Sequence, residues 1–60
     1  MIVQYKDDNT FEIRTEKDSY KCMTVRNNFV YEIYNSDNNF IGLAKYLANV
    51  QAFISNYEDK

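Results

Sequence analysis

The chain has no His, no Trp and no Pro, and only one Gly and one Cys. Each shortage closes a route. A lone Cys excludes an internal disulfide, and a lone Cys without His cannot build an ordinary zinc site. With Pro absent and Gly nearly so, the usual turn-makers are missing. No apolar run approaches the ~20 residues of a membrane span. The opening segment, Met1-Ile2-Val3-Gln4-Tyr5-Lys6-Asp7, has no signal-peptide core, and a single Cys suits a reducing compartment; the expectation is a cytoplasmic protein. At 60 residues there is room for a single domain, 1–60. A domain of that size buries only about 60% of its unfolded surface. Small domains lean on a disulfide, a metal or a partner subunit. With the first two excluded by count, a second chain is the expected staple.

What the chain has is apolar and aromatic mass. Hydrophobic residues make up 45% and aromatics 17%, with a net charge of −2, which is the opposite of the disordered signature. Asn and Asp take over the turns, since both tolerate left-handed backbone and bond their own main chain. Clusters fall at Asp7-Asp8-Asn9, Glu16-Lys17-Asp18, Arg26-Asn27-Asn28 and Ser36-Asp37-Asn38-Asn39. That spacing, about every ten residues, predicts a meander of short strands over 2–6, 10–15, 19–25 and 29–35.

The registers can be tested against one another. A two-residue turn at Asn27-Asn28 sets Val25 opposite Val30, Thr24 opposite Tyr31 and Cys22 opposite Ile33. A two-residue turn at Lys17-Asp18 sets Ile13 opposite Cys22 and Phe11 opposite Thr24. A three-residue turn at Asp7-Asp8-Asn9 sets Val3 opposite Ile13 and Tyr5 opposite Phe11. All three agree on one apolar face, made of Val3, Tyr5, Phe11, Ile13, Cys22, Phe29, Tyr31 and Ile33. A one-residue slip at any turn would scramble it.

The C-terminal third has helical periodicity. Phe40, Leu43, Leu47, Val50, Ile54 and Tyr57 recur in steps of three and four, so a helix over 38–57 is expected, N-capped by Asp37 or Asn39. Ile41 and Gly42 do not fit it. A fifth strand over Phe40–Ala44 explains them better, at the cost of a helix with no N-cap side chain. The predicted fold is therefore α+β: a four-stranded antiparallel meander, five-stranded in the alternative, followed by one C-terminal α-helix packed on one sheet face.

Few residues invite chemistry. Cys22 falls on the core face with no His, cation or helix N-terminus to lower its pKa, and reads as an inert buried thiol. The carboxylates sit mostly at turns and at the C-terminal end. Asp7-Asp8-Asn9 lacks the turn Gly and the distal bidentate Glu of a calcium loop. No Gly-rich phosphate loop or nucleophile elbow occurs. No cofactor, metal or membrane is expected, nor an enzyme. A nucleic-acid binder needs a basic stripe, whereas Lys6, Arg14, Lys17, Lys21, Arg26 and Lys45 are scattered among acids.

The other sheet face is the misfit. Its first half carries Gln4, Lys6, Glu12, Arg14 and Lys21. Its second half carries Met23, Val25, Val30 and Tyr34, interrupted only by Glu32, where an exposed antiparallel face should turn polar. Apolar patches of this kind mark interaction sites, and a homodimer is the commonest cover. Met23, Val25, Val30 and Tyr34 are thus the expected homodimer interface, with strand four extending the sheet across the dimer if it is an edge.

A very short, acidic, aromatic-rich α+β chain with Asn- and Lys-rich composition resembles the products of phages and mobile elements of AT-rich bacteria. The resemblance covers the whole chain and rests on no diagnostic motif. It implies an inhibitor of host defence, either an anti-CRISPR protein or an inhibitor of another anti-phage system such as Hachiman, Thoeris or Gabija. Such a protein would act in the host cytoplasm on a larger host protein. The contacts expected for that partner are Asp7, Asp8, Glu12, Arg14, Lys21 and Asp37. A nucleic-acid-binding accessory protein and a structural homodimeric module are the alternatives.

Overall fold

The computed structural model describes residues 1–25 and 30–59. Five antiparallel strands, β1 (Ile2–Tyr5), β2 (Thr10–Arg14), β3 (Ser19–Thr24), β4 (Tyr31–Tyr34) and β5 (Phe40–Ala44), are followed by one helix, α1 (Leu47–Glu58). The sheet is a plain meander in the order β1-β2-β3-β4-β5, so β1 and β5 are its edges. The Asn27-Asn28 turn and Phe29 lie outside the described residues.

The turns are built by side chains, as their composition suggests. At the first, the Asp7 carboxylate accepts the Asn9 amide at 2.8 Å, and Lys6 N–H donates to the Thr10 carbonyl at 2.9 Å. This loop sets Val3 opposite Ile13 and Tyr5 opposite Phe11, as expected. At the last, Asn35 Oδ1 accepts the amides of Asp37 at 3.0 Å and Asn39 at 2.9 Å, while Asn38 takes the left-handed conformation at φ 66°. Asn tolerates that backbone better than most side chains.

The second turn differs from the expectation. It closes on Thr15 and Asp18, whose amide and carbonyl meet at 2.9 Å, leaving Glu16-Lys17 rather than Lys17-Asp18 at the tip. The Thr15 hydroxyl decides this by accepting the Lys17 and Asp18 amides at 3.1 and 3.2 Å. Cys22 therefore pairs with Phe11 and Tyr20 with Ile13, a slip of two residues. Because side chains alternate with period two, a slip of two keeps every residue on its expected face. It also sets Tyr20, which shares the face of Cys22 but is absent from the expected core, opposite Ile13. The β3–β4 register, Cys22 with Ile33 and Thr24 with Tyr31, is the expected one.

The helix over 38–57 is corrected by the fold. Phe40–Ala44 is a strand, and α1 starts at Leu47 from Tyr46, which makes no side-chain cap bond. Asp37 and Asn39 belong to the turn before β5 and cap nothing. The physical reason is Gly42. A Cβ there would lie 2.3 Å from Phe53 Cζ, so the helix lays an aromatic ring where the strand has no side chain. A β-bulge between Ile33 and Tyr34 moves the pairing from Ile33–Gly42 to Tyr34–Phe40 and accommodates Ile41, which packs against the core.

The core is Phe11, Ile13, Tyr20, Cys22, Ile33, Val50 and Ile54, all from the inner sheet face and one side of α1. Leu47 and Phe53 pack around it, with Val3 and Tyr31. Tyr5 touches the Phe11 ring at 5.4 Å yet stays 63% exposed, so it lies at the margin of the core. Asn49, Ala52 and Asn56 form the exposed side of α1.

Candidate functional site

With α1 on one face, the other face of the sheet is uncovered by any described residue, and the strand registers lay its side chains out in rows. One row runs Gln4, Glu12, Lys21, Tyr34, Phe40. The next runs Thr10, Met23, Glu32, Leu43. A third holds Ile2, Arg14 and Ser19. Val25 and Val30 continue the surface beyond Met23, joined by a 2.9 Å backbone bond. Met23, Val25, Val30 and Tyr34 are half-buried.

Phe40 and Leu43, assigned by periodicity to the buried stripe of a helix, instead stand open on this face, at 53% and 54% exposure. The misfit of Ile41 and Gly42 was the signal that could have placed them here. With them, the apolar cluster reaches the sheet edge. That edge is β5; β4 is internal, so the condition for extending the sheet through strand four is not met.

Polar contacts fix the face. Phe40 meets the Tyr34 ring edge-on at 5.7 Å, and Lys21 Nζ lies 6.0 Å from the centre of that ring. The Tyr34 hydroxyl donates to Glu32 at 3.1 Å, and this bond to a carboxylate, with burial second, raises its pKa above 10.0. Arg14 donates to Glu12 at 3.2 Å. An open cleft of about 180 Å³ borders the face, lined by Glu12, Ser19, Lys21, Ser36 and Asn38 among others.

Of the expected partner contacts, Glu12, Arg14 and Lys21 share this face with Met23 and Tyr34. Asp7 and Asp8 share the β1–β2 turn and Asp37 lies in the β4–β5 turn, so the three acids do not form a single site. Arg14 and Lys21 are exposed, Glu12 half-buried.

A second polar cluster sits under α1. Glu58 accepts the Thr15 hydroxyl at 2.5 Å and the Tyr20 hydroxyl at 2.7 Å, while Lys17 Nζ donates to its carbonyl at 3.0 Å. The two hydroxyls, Thr15 first, hold the Glu58 carboxyl below its ordinary 4.5. Burial, then the Glu58 bond, pushes the Tyr20 hydroxyl well above 10.0. The Ser36 hydroxyl, then the Ser19 amide, lower Asp18. Cys22 is fully buried, and burial pushes its thiol up to about 12. A thiol in that state is a poor nucleophile.

Among the described residues, no group of three or more His, Cys, Asp or Glu side chains could hold a metal ion, and no helix is long and apolar enough to cross a membrane. The arrangement is a built surface: an aromatic and aliphatic centre, a mixed-charge flank, and an open sheet edge. Comparison with protein-family models, with curated proteins and with solved structures finds no match to this chain.

Proposed function

We propose that this protein is a non-enzymatic inhibitor that lays the outer sheet face, centred on Met23, Tyr34, Phe40 and Leu43, against a larger protein. One observation carries the reading. Two large apolar side chains stand more than half exposed beside two half-buried ones on a face that α1 leaves open, and apolar clusters rimmed by charge are how binding surfaces are built. Arg14, Glu12 and Lys21 form the rim that would set orientation. The resemblance in composition to phage and mobile-element proteins supports a setting in the bacterial cytoplasm, with a host defence protein as the target.

The test is functional. The chain is expressed in bacteria carrying CRISPR–Cas, Hachiman, Thoeris or Gabija defence, and the cells are challenged with a sensitive phage. Plaquing should be restored in one of them and lost again with Leu43→Glu, a variant checked by circular dichroism for an unchanged fold. Failure to restore plaquing in any of the four, or rescue undiminished by Leu43→Glu, would count against the proposal.

A second reading has its own observation: Tyr34 and Phe40 on an open sheet face beside Lys21 resemble a base-stacking platform. Glu12 next to Arg14 and Glu32 next to Tyr34 argue against it, since they put negative charge where phosphates would run. Fluorescence anisotropy with labelled single-stranded DNA and RNA at low salt separates the two readings. No binding is expected.

A further inference from the structure

The edge strand β5 carries no charged residue and no Pro from Phe40 to Ala44. Edge strands usually protect themselves with Lys, Pro or an inward-pointing charge, and β5 has only its bulge at one end. Its flanks are charged instead. Exposed Lys45 follows it directly, and exposed Asp37 stands in the turn before it.

These two flanks make the strand complementary to itself. In an antiparallel pair related by a two-fold axis at Gly42, the bulge at Ile41 sets Leu43 of one copy against Phe40 of the other, and Lys45 then falls beside Asn38, the neighbour of Asp37 in the turn. Symmetry makes the contact twice. Between the two ion pairs only Asn39, Phe40, Ile41, Gly42, Leu43 and Ala44 meet, so no like charges oppose each other. The other edge, β1, leads into Lys6-Asp7-Asp8 and has polar Gln4 within it, and offers no such match.

We propose that β5 pairs antiparallel with β5 of a second copy, joining two five-stranded sheets into one of ten strands. The occupant of the edge is therefore this chain itself. The pairing places the two outer faces side by side, with Phe40 and Leu43 of each copy at the seam. It is independent of what the outer face binds. Pairing one short strand buries little area, at the low end of specific interfaces, so the dimer should form in the micromolar range and weaken on dilution.

Sedimentation equilibrium from a few to several hundred micromolar tests this against the 7.2 kDa of one chain. The wild type should move toward twice that mass. Lys45→Glu and Asp37→Lys should each weaken the dimer at least about tenfold, because each turns two attractions into two repulsions. The double variant, with the charges exchanged, should restore it. Both positions are exposed, so the fold is not at stake. A monomer throughout would overturn the proposal. So would a dimer indifferent to both reversals, or one broken by Met23→Glu (a face-to-face dimer) or by Ile2→Lys (a β1 dimer) instead.

Discussion

Glu58 stands at the end of a helix where an anion is disfavoured by the helix dipole, and it is held there by two hydroxyls of the β2–β3 hairpin. Its carboxyl titrates below 4.5 in the folded chain, so its contribution is present above that value and lost as the pH falls through the lower, folded one. Urea midpoints measured between pH 7 and pH 3 should therefore fall on the acid side. In Glu58→Gln that fall should shrink, and the midpoint at pH 7 should be lower than in the wild type. Cys22 runs the other way. Its thiol is raised from 9.0 to about 12, so its contribution is full below pH 9 and is lost as the pH climbs toward 12. At pH 8 a disulfide reagent such as dithionitrobenzoate should leave the native protein untouched and titrate one thiol per chain in guanidinium. Fast labelling of the native state would contradict the burial. The burial of Cys22 was legible in the sequence from its place on the apolar face. The Glu58 latch was not, because nothing local links residue 58 to residues 15 and 20.

At the scale of elements, the decisive residue is Gly42. In a helix, Gly→Ala stabilises by roughly 1 kcal/mol. In β5 the new methyl would run into the Phe53 ring, 2.3 Å from Cζ, and overpacking of this kind costs about 1–3 kcal/mol. The sign of the change in Gly42→Ala, read from chemical denaturation, thus reports which element holds residue 42. Destabilisation is expected, with recovery when Phe53→Leu is added to make room. This is also where the sequence misled. Phe40 and Leu43 fall into step with Leu47 and Val50 by chance of spacing, and periodicity alone does not say where a helix begins. The meander was readable because Asn and Asp mark its turns. Even so, Thr15, a residue outside the expected turn cluster, moved one hairpin register by two. The face assignment survived because two is the period of a strand.

For the molecule as a whole, a sheet closed on one side by one short helix leaves half its surface area of strand without a lid. The seven side chains buried among the described residues make a thin core, and domains of this size hold only a few kcal/mol from such a core. Association through β5 would add stability by mass action, so the melting temperature should rise with protein concentration. The Lys45→Glu variant should lose that dependence and keep the monomer's value. The outer face was legible as a misfit in the β3 and β4 segments. Its full extent was hidden until Phe40 and Leu43 moved from helix to strand.

The unbroken strand order β1-β2-β3-β4-β5 also bears on how quickly the chain finds its fold. Every strand pairs only with its neighbours in sequence, so no long loop must close before the sheet begins to pay back its ordering, and folding speed follows such locality. The chain contains no proline, which removes the isomerisation step that delays many small proteins by tens of seconds. Stopped-flow refolding from urea should accordingly show one exponential, complete within about a second, with no slow phase after long incubation in denaturant. A protein that reaches its working shape that fast can act almost as soon as it leaves the ribosome.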